Sequence, residues 1–262
     1  MTRQNYYKTR ASRRRRAVDD DLVVELVHQI RHRHPRMGTR KLYDVLKGEL
    51  ERGGVEIGRD RFFEVLREHD LLVPPLPKAP RTTNSKHSLP VFRNLIAEIQ
   101  TTAPGEVWVS DITYLRTLEG FEYLSLIMDR HSHKIVGFHC GDDLSTAGCL
   151  KALDMALGDL PKDARPIHHS DRGCQYCSHD YVRGLTGRGL SVSMTEENHC
   201  AENAVAERLN GILKQEYGLG VVFWTRAQAR AAVRQAVRLY NNERPHLSLN
   251  MRTPTQAHRL AA

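Results

Sequence analysis

Apolar residues recur at two different spacings along the chain. Up to about residue 72 they recur every three or four positions, which predicts amphipathic helices over residues 19–32, 39–52 and 58–69. Turn-forming residues separate these helices: His34–Gly38 ends the first and Gly53–Gly54 ends the second. Three short helices joined by tight turns, with arginines facing outward, are typical of a helix-turn-helix module. A helical bundle that docks another protein would show the same pattern.

Beyond a proline-rich stretch, the spacing alternates between strand-like and helix-like runs. Three β-type runs joined by short polar turns predict an antiparallel meander, which is followed by helix, strand, helix, strand and two helices. The predicted strands are residues 107–115, 123–128, 134–139, 166–170 and 190–194, and the predicted helices are 145–160, 180–187, 203–217 and 226–241. This order predicts an α/β fold: a ribonuclease-H-like mixed five-stranded sheet flanked by helices, preceded by a small all-α helix-turn-helix-like domain.

The same patterns predict four segments. They are a basic arm over residues 1–18, a helix-turn-helix-like DNA-binding domain over 19–72, a basic linker over 73–100 and a catalytic domain over 101–262. The linker boundary rests on composition, because five of the eleven prolines fall between residues 73 and 90 together with three cationic side chains.

The charge distribution is uneven in the same way. The chain carries a net charge of +8, and residues 1–90 hold 20 lysines and arginines against 12 acidic residues. The remaining residues hold 19 of each, so the whole surplus lies in the first third of the chain. A one-sided basic segment indicates a polyanionic partner such as DNA. The candidate DNA contacts in this segment are Arg13, Arg14, Arg15, Arg16, Arg36, Arg40, Lys41, Arg59 and Arg61.

Composition also argues against several classes of protein. No apolar run approaches the roughly 18 to 20 residues that a membrane span needs. The basic N-terminus is not followed by the apolar segment of a secretory signal. Five cysteines, an odd number, indicate reduced thiols rather than a disulfide framework. We therefore expect a cytoplasmic protein without a membrane partner.

Three carboxylates stand out by their positions. Asp111 lies inside a β-type run, where a carboxylate opposes the local preference, and such conflicts tend to mark functional sites. Asp171 directly follows the fourth predicted strand, at the kind of strand end where open α/β folds place ligands. Glu207 follows after 35 intervening residues, on a helix face that it shares with Lys214.

The apolar stripe of that helix is predicted to be Val205, Leu209 and Ile212. Glu202 competes for the third position, although helix capping is its simpler role.

Three carboxylates at one end of a sheet repel one another unless cations neutralise them. Two divalent ions about 3.5–4 Å apart would do so, and would stabilise both the attacking and the leaving oxygen of a phosphoryl transfer. Mg²⁺ suits such a site because it prefers oxygen ligands, and Mn²⁺ is the alternative. The sequence therefore predicts a two-metal catalytic site at Asp111, Asp171 and Glu207.

Four segments together carry a specific resemblance. Trp108–Tyr114, His169–Tyr176, Glu202–Tyr217 and Tyr240–His246 resemble, in this order, motifs of insertion-sequence transposases of the IS3 family. This family is a branch of the Asp-Asp-Glu transposase and retroviral integrase superfamily, and the resemblance covers about residues 20–258. Two positions depart from the family pattern: Glu202, where Asp is frequent, and Cys174, where a small polar residue is frequent. Neither departure touches the three carboxylates.

The resemblance implies both a chemistry and a set of partners. Asp111, Asp171 and Glu207 would be the catalytic, metal-binding carboxylates of a DNA transposase. The enzyme would nick the terminal inverted repeats of an element, and the freed 3′-OH would attack a second phosphodiester in target DNA or at the other end. A homo-oligomer on the bacterial nucleoid is expected. This chain shows no sustained heptads, so the product of an upstream reading frame is expected as a fusion or partner.

Several smaller features leave alternatives open. Cys174 and Cys177, with His199 and Cys200 downstream, are a weak zinc pattern because a second clean pair is missing. His169 could orient its loop or bind a metal. Lys214 could contact a phosphate, and Arg244 could contact DNA or anchor a loop. For the whole chain, the alternatives are a non-catalytic DNA-binding regulator and a metal-dependent nuclease that cleaves without joining.

Overall fold

The structure is a computed structural model that describes residues 19–74, 89–196 and 203–260. The chain divides into two compact units, Met1–Pro77 and Lys78–Ala262. Several features of the sequence lie outside the described residues: the arginine run Arg13–Arg16, most of the proline-rich stretch, His199, Cys200 and Glu202. No helix within the described ranges is both long and apolar enough to cross a membrane.

The first unit consists of three helices around one apolar core. Helix α1 covers residues 19–33, α2 is Thr39–Arg52 and α3 is Arg59–Glu68. The three predicted helices are therefore confirmed, with ends that differ by at most one residue. The fully buried side chains recur at helical spacing and include Val23, Val27, Leu42, Leu46, Phe62, Val65 and Leu66.

The second unit is built on a mixed sheet flanked by helices, which confirms the predicted fold class. Its main strands are β1 Val107–Thr117, β2 Gly120–Asp129, β3 Ile135–Gly141, β4 Ile167–Ser170 and β5 Ser191–Met194. They lie in the order β3-β2-β1-β4-β5, in which β1 to β3 are antiparallel and β1, β4 and β5 are parallel. The helices are α4 Thr146–Gly158, α5 Cys174–Cys177, α6 His179–Thr186, α7 Ala204–Glu216, α8 Arg226–Glu243 and α9 Pro254–Leu260.

The sheet separates two apolar cores. Side chains alternate between the faces of a strand. Val107 and Val109 of β1 therefore pack with residues of α7 and α8, whereas Trp108 packs on the opposite face with residues of α4 and α6. Neighbouring residues of β1 thus pack into different cores, and this fixes the register of the strand. Asp111 lies on this strand.

Among the described residues, four short elements differ from the prediction: helix α5, a 3-10 helix at Leu247–Leu249, a sixth strand and the last helix. A sixth strand, β6 Val222–Phe223, pairs in parallel with Arg116 and Thr117, so the sheet has six strands and not five. A strand of two residues is too short to produce a periodic pattern. Helix α9 continues the chain beyond the helix predicted to be last. The side chain of Thr253 accepts a hydrogen bond from the backbone N–H of Gln256. Together with Pro254 at the first helical position, this is a start signal that the prediction missed.

The close packing of β3 against α4 leads to the first prediction. A methyl carbon built on Gly137 would overlap the carbonyl oxygen of Ala152 and lie 2.9 Å from the Cβ of Ala156. Gly137→Ala should therefore lower the free energy of unfolding by about 1–3 kcal/mol or more. Guanidinium denaturation followed by tryptophan fluorescence measures it, because both tryptophans lie in this unit.

The matched control is Gly148→Ala inside α4. A methyl carbon there meets no atom closer than 3.6 Å. Removing a glycine from a helix interior should raise the stability by about 0.5–1 kcal/mol. Equal denaturation midpoints for the two variants would contradict the close packing at Gly137.

Candidate active site

The candidate site lies along one edge of β1. Strand β2 pairs with β1 from Trp108 to Thr117, so β4 and β6 must share the opposite edge. On that edge β4 pairs with Val107–Val109, and β6 pairs with Arg116 and Thr117. Among the described residues, the segment 110–115 between them has no strand partner on this edge. We call this segment the gap of β1, and Asp111 lies in it.

Helix α7 runs alongside this gap. Just before the helix, the side-chain amide of Asn203 donates to the carbonyl oxygen of Ser110 at 3.1 Å. Two turns later, Nδ2 of Asn210 donates to Oδ2 of Asp111 at 2.6 Å. One turn further, the ammonium of Lys214 lies 4.7 Å from the centroid of the Tyr114 ring. Contacts that advance together along both elements show that α7 runs in the same direction as β1.

This placement widens the predicted inward face of α7. Leu209 is buried as expected, and Val205 and Ile212 are half-buried against the same apolar core. The other buried residues of the helix are Ala206, Asn210 and Leu213. Because α7 packs against the edge of β1 as well as against the apolar core, its inward face includes the polar Asn210, which an apolar stripe cannot reveal.

Asp111 is held in an environment that opposes its charge. Burial raises the pKa of its carboxyl to about 7, and the neighbouring charge of Asp171 adds to the rise, with a smaller effect from Glu207. Two hydrogen bonds work in the opposite direction: one from the backbone N–H of Ile112 to Oδ1, at 2.9 Å, and the one from Asn210. The carboxylate is thus fixed in position at an electrostatic penalty.

The structure brings the other two predicted carboxylates near Asp111. Asp171 follows β4 directly, and its Oδ1 accepts a hydrogen bond from the backbone N–H of Gly173 at 3.0 Å. Glu207 is exposed in the first turn of α7, one helical turn before Asn210. Both act electrostatically on Asp111, so the three carboxylates share one region at the gap of β1.

The donor chemistry of this region fits a hard divalent cation. All three groups supply carboxylate oxygens, which Mg²⁺ prefers, and a cation would offset the repulsion that raises the pKa of Asp111. The carboxylates do not form a closed ligand set, however. Within the described part of the chain, no three His, Cys, Asp or Glu side chains are grouped closely enough to hold a metal ion. Cys174 and Cys177 are among the side chains that form no such group. Cys177 is buried against Met194.

Two buried histidines support the strands beneath the site. Nε2 of His168 lies 2.7 Å from the hydroxyl of Ser110 and 2.9 Å from that of Tyr181. Burial lowers the pKa of His168 to about 3, so its ring is neutral. His169 contacts the hydroxyl of Ser193 through Nδ1 at 2.8 Å and thereby connects β4 to β5. Neither contact involves the three carboxylates, and the roles of Ser110 and Tyr181 were not foreseen from the sequence.

The predicted DNA contacts in the second unit differ in what they can do. Lys214 is half-buried beside the gap, where burial lowers the pKa of its ammonium and the charge of Asp111 opposes that shift. Arg244 is only 3% exposed, and its Nε and Nη2 each donate to the carboxylate of Glu216 at 2.7 Å. The guanidinium therefore joins the end of α8 to the end of α7, which favours anchoring over DNA contact.

The predicted contacts in the first unit also differ in availability. Arg40 and Arg59 are exposed, and Lys41 is half-buried. Arg61 pairs with Asp20, Glu64 and Glu68, so three carboxylates already compete for its guanidinium. Arg36 donates to the carbonyl oxygen of Pro74. Among the described members of this set, Arg40 and Arg59 are thus the most accessible.

Comparison with known proteins gives a consistent result. Two models described as integrase core domain match residues 101–200 and 188–254. A 31 kDa protein of insertion element IS600 from Shigella sonnei is 37% identical over 255 residues, which is 95% of this chain and 92% of that protein. Transposase InsF of IS3A from Escherichia coli K12 is 32% identical over 213 residues, covering 80% and 73%.

A solved structure shows the same fold. The chain is similar to a protein in the simian T-cell lymphotropic virus intasome, solved in complex with a PP2A regulatory subunit. The TM-score is 0.52 at 18% identity, covering 84% of this chain and 74% of that one. Fold and matched models together define an integrase-core protein, the class of DNA transposases and integrases. Within that class, the chain belongs to the IS3 family of insertion-sequence transposases, as its motifs indicated.

The ion pair of Arg244 leads to the second prediction. Arg244→Ala should lower the free energy of unfolding by on the order of 3 kcal/mol, because Glu216 loses its bidentate partner in a half-buried position. The affinity of the folded variant for duplex DNA should change less than twofold. Arg238→Ala, on the exposed face of α8, is the matched control for loss of one positive charge. A tenfold loss of DNA affinity without a change in melting would instead identify Arg244 as a DNA contact.

The raised pKa of Asp111 leads to the third prediction. Because this pKa is higher in the folded than in the unfolded protein, ionisation lowers stability progressively as the pH rises from about 4 to about 7. Asp111→Asn removes that penalty. Without divalent cations, the stability of the variant relative to the wild type should increase as the pH rises through this range. The difference should reach at most on the order of 4 kcal/mol and should stay constant above about pH 7.

Urea denaturation in EDTA at a series of pH values measures this gain. Asp154→Asn on α4, an exposed aspartate, controls for the loss of one negative charge. A difference between Asp111→Asn and wild type that is the same at pH 4.5 and pH 8 would contradict the raised pKa.

Proposed function

We propose that this transposase cuts one DNA strand at the ends of its element and joins the freed 3′-OH to a second phosphodiester. Asp111, Asp171 and Glu207 are the proposed catalytic, metal-binding residues. The observation that carries the proposal is their convergence at the gap of β1, where Asn210 fixes Asp111 and where burial, and then the charges of Asp171 and Glu207, raise the pKa of its carboxyl. Joining exchanges one phosphodiester for another, so the reaction needs no external energy source.

The three carboxylates have distinct structural supports. Asp111 is fixed by Ile112 and Asn210, Asp171 is oriented by the N–H of Gly173, and Glu207 is presented by α7. Together they would hold two Mg²⁺ or Mn²⁺ ions. When bound, these ions would activate the attacking oxygen and stabilise the leaving one. Lys214, beside Asp111 and over the Tyr114 ring, is suited to contact a phosphate of the reacting strand.

DNA binding is proposed to involve the basic first part of the chain. Its charge surplus supports contact with the terminal inverted repeats, and exposed Arg40 and Arg59 are candidates for phosphate contact. The intasome described for the simian virus protein supports the further proposal that this chain acts as a homo-oligomer on DNA. The product of an upstream reading frame, as a fusion or partner, and action on the bacterial nucleoid complete the proposal.

A joining assay tests the proposed chemistry and gives the fourth prediction. The chain, alone and fused to its upstream frame, is incubated with labelled duplex carrying the element's terminal inverted repeat and Mg²⁺ or Mn²⁺. Joined products should form, and Asp171→Asn should reduce them at least about a thousandfold, because metal-dependent charge stabilisation contributes several kcal/mol. Asp154→Asn, which removes an exposed carboxylate on α4, should leave joining intact.

The same assay separates the alternative functions. Cleavage without joined products would indicate a metal-dependent nuclease. DNA binding without any chemistry, indifferent to Asp171→Asn, would indicate a regulator and would overturn the catalytic assignment.

A further inference from the structure

A cluster of exposed apolar side chains lies where β6 meets the turn between β1 and β2. The backbone N–H of Leu118 in the turn donates to the carbonyl oxygen of Phe223 at 2.9 Å, so the turn and β6 are in direct contact. Trp224 follows β6 immediately and is 73% exposed. We call this cluster the β6 corner, and its exposed members are Leu118, Phe121, Val221, Val222 and Trp224.

The β6 corner lies on the same edge of β1 as the candidate active site. Strand β6 pairs with Arg116 and Thr117, which end the gap that contains Asp111. Thr117 is six residues beyond Asp111 along the strand, and at about 3.3 Å per residue this corresponds to about 20 Å. Helix α7 also connects the two places, since after Lys214 the chain turns and enters β6.

Positive charge lies between the two places. Lys214 is beside the gap over the Tyr114 ring, and Arg116 is exposed opposite Val222. The Tyr114 ring in turn packs edge-on against Phe121 of the β6 corner, with ring centroids 5.6 Å apart. A ligand that follows this edge away from Asp111 would therefore meet cations first and an exposed aromatic surface afterwards.

This order of charge and aromatic surface fits a nucleic-acid strand better than a protein partner. Protein interfaces are also rich in aromatic side chains and arginine, but they are depleted of lysine. Surfaces for single-stranded nucleic acid combine cations along the backbone with aromatic side chains on which bases stack. The indole of Trp224 offers an exposed flat face, and an unpaired base can stack on it more readily than a base inside a duplex, which is already stacked between its neighbours.

We propose that Trp224, supported by the β6 corner, stacks against an unpaired nucleobase of the DNA strand whose phosphates pass Lys214 and Arg116. The distance of about 20 Å from Asp111 to the end of β1 separates this base from the strand position at Asp111 by several nucleotides. The contact would hold the end of the DNA strand in line with the candidate active site. The proposal rests on DNA being the substrate, as proposed above.

The two tryptophans of the chain make this contact measurable, which is the fifth prediction. Trp108 is 2% exposed and Trp224 is 73% exposed, so acrylamide should quench mainly the fluorescence of Trp224. Addition of single-stranded dT20 to the full chain should lower the quenching constant at least about twofold, because stacking covers the indole. The duplex of the same length should protect less.

Variants of Trp224 test the energetic contribution with fluorescein-labelled dT20 and fluorescence anisotropy. Trp224→Leu should weaken binding roughly tenfold, and Trp224→Phe should retain most of the affinity, because a phenyl ring still stacks. Met155→Ala removes an exposed apolar side chain from α4, away from the β6 corner, and should leave affinity unchanged. Unchanged Trp108 emission in the Trp224 variants shows that the fold is retained.

Three results would overturn the proposal, each in a distinguishable way. If dT20 binds but acrylamide quenches Trp224 as strongly as without DNA, the β6 corner does not contact the DNA. The proposed function would not be affected by that result. Protection of Trp224 that rises with protein concentration without DNA would assign the β6 corner to a second copy of the chain. Absence of any binding of dT20 or duplex would contradict the DNA-binding function together with this inference.

Discussion

The hydrogen bond between Asn210 and Asp111 fixes helix α7 against the open edge of β1, and the geometry of the candidate site depends on it. With the bond from Asn203 to Ser110 at the other end, it fastens α7 to the strand at two points separated by two helical turns. Glu207 lies between these points and Lys214 one turn beyond them. Fixing the helix therefore sets both the third carboxylate and the cation beside it.

This arrangement has an electrostatic penalty that the rest of the unit must offset. The gap of β1 combines burial of Asp111 with the charges of Asp171 and Glu207, so ionisation opposes folding. Two apolar cores, one on each face of the sheet, supply compensating stability. Two other buried charged groups are paired with an opposite charge: Glu122 with Arg230, and Arg244 with Glu216. Asp111 differs from them because the charges that raise the pKa of its carboxyl, those of Asp171 and Glu207, have the same sign, which suits a site that binds cations.

Much of this structure could be predicted from the sequence, because local spacing determines it. The five longer strands and the helices α1 to α4 and α6 to α8 follow the periodicity of apolar residues, and Asp111 is recognisable because it interrupts such a pattern. Features that depend on distant contacts could not be predicted. Strand β6 exists only through its pairing with Arg116 and Thr117, and the anchoring role of Arg244 depends on Glu216 of another helix. The inward face of α7 includes Asn210 for the same reason.

We propose that the gap of β1 holds divalent cations between carboxylates that repel one another when no cation is bound. Crystals of the wild-type protein grown with Mn²⁺ and measured at the manganese absorption edge test this proposal. We expect anomalous density bounded by the carboxylates of Asp111 and Asp171, and its loss in Asp111→Asn crystals of the same form. Absence of manganese from this edge of the sheet in wild-type crystals would contradict the proposal. The same anomalous density in the Asp111→Asn crystals would contradict it as well.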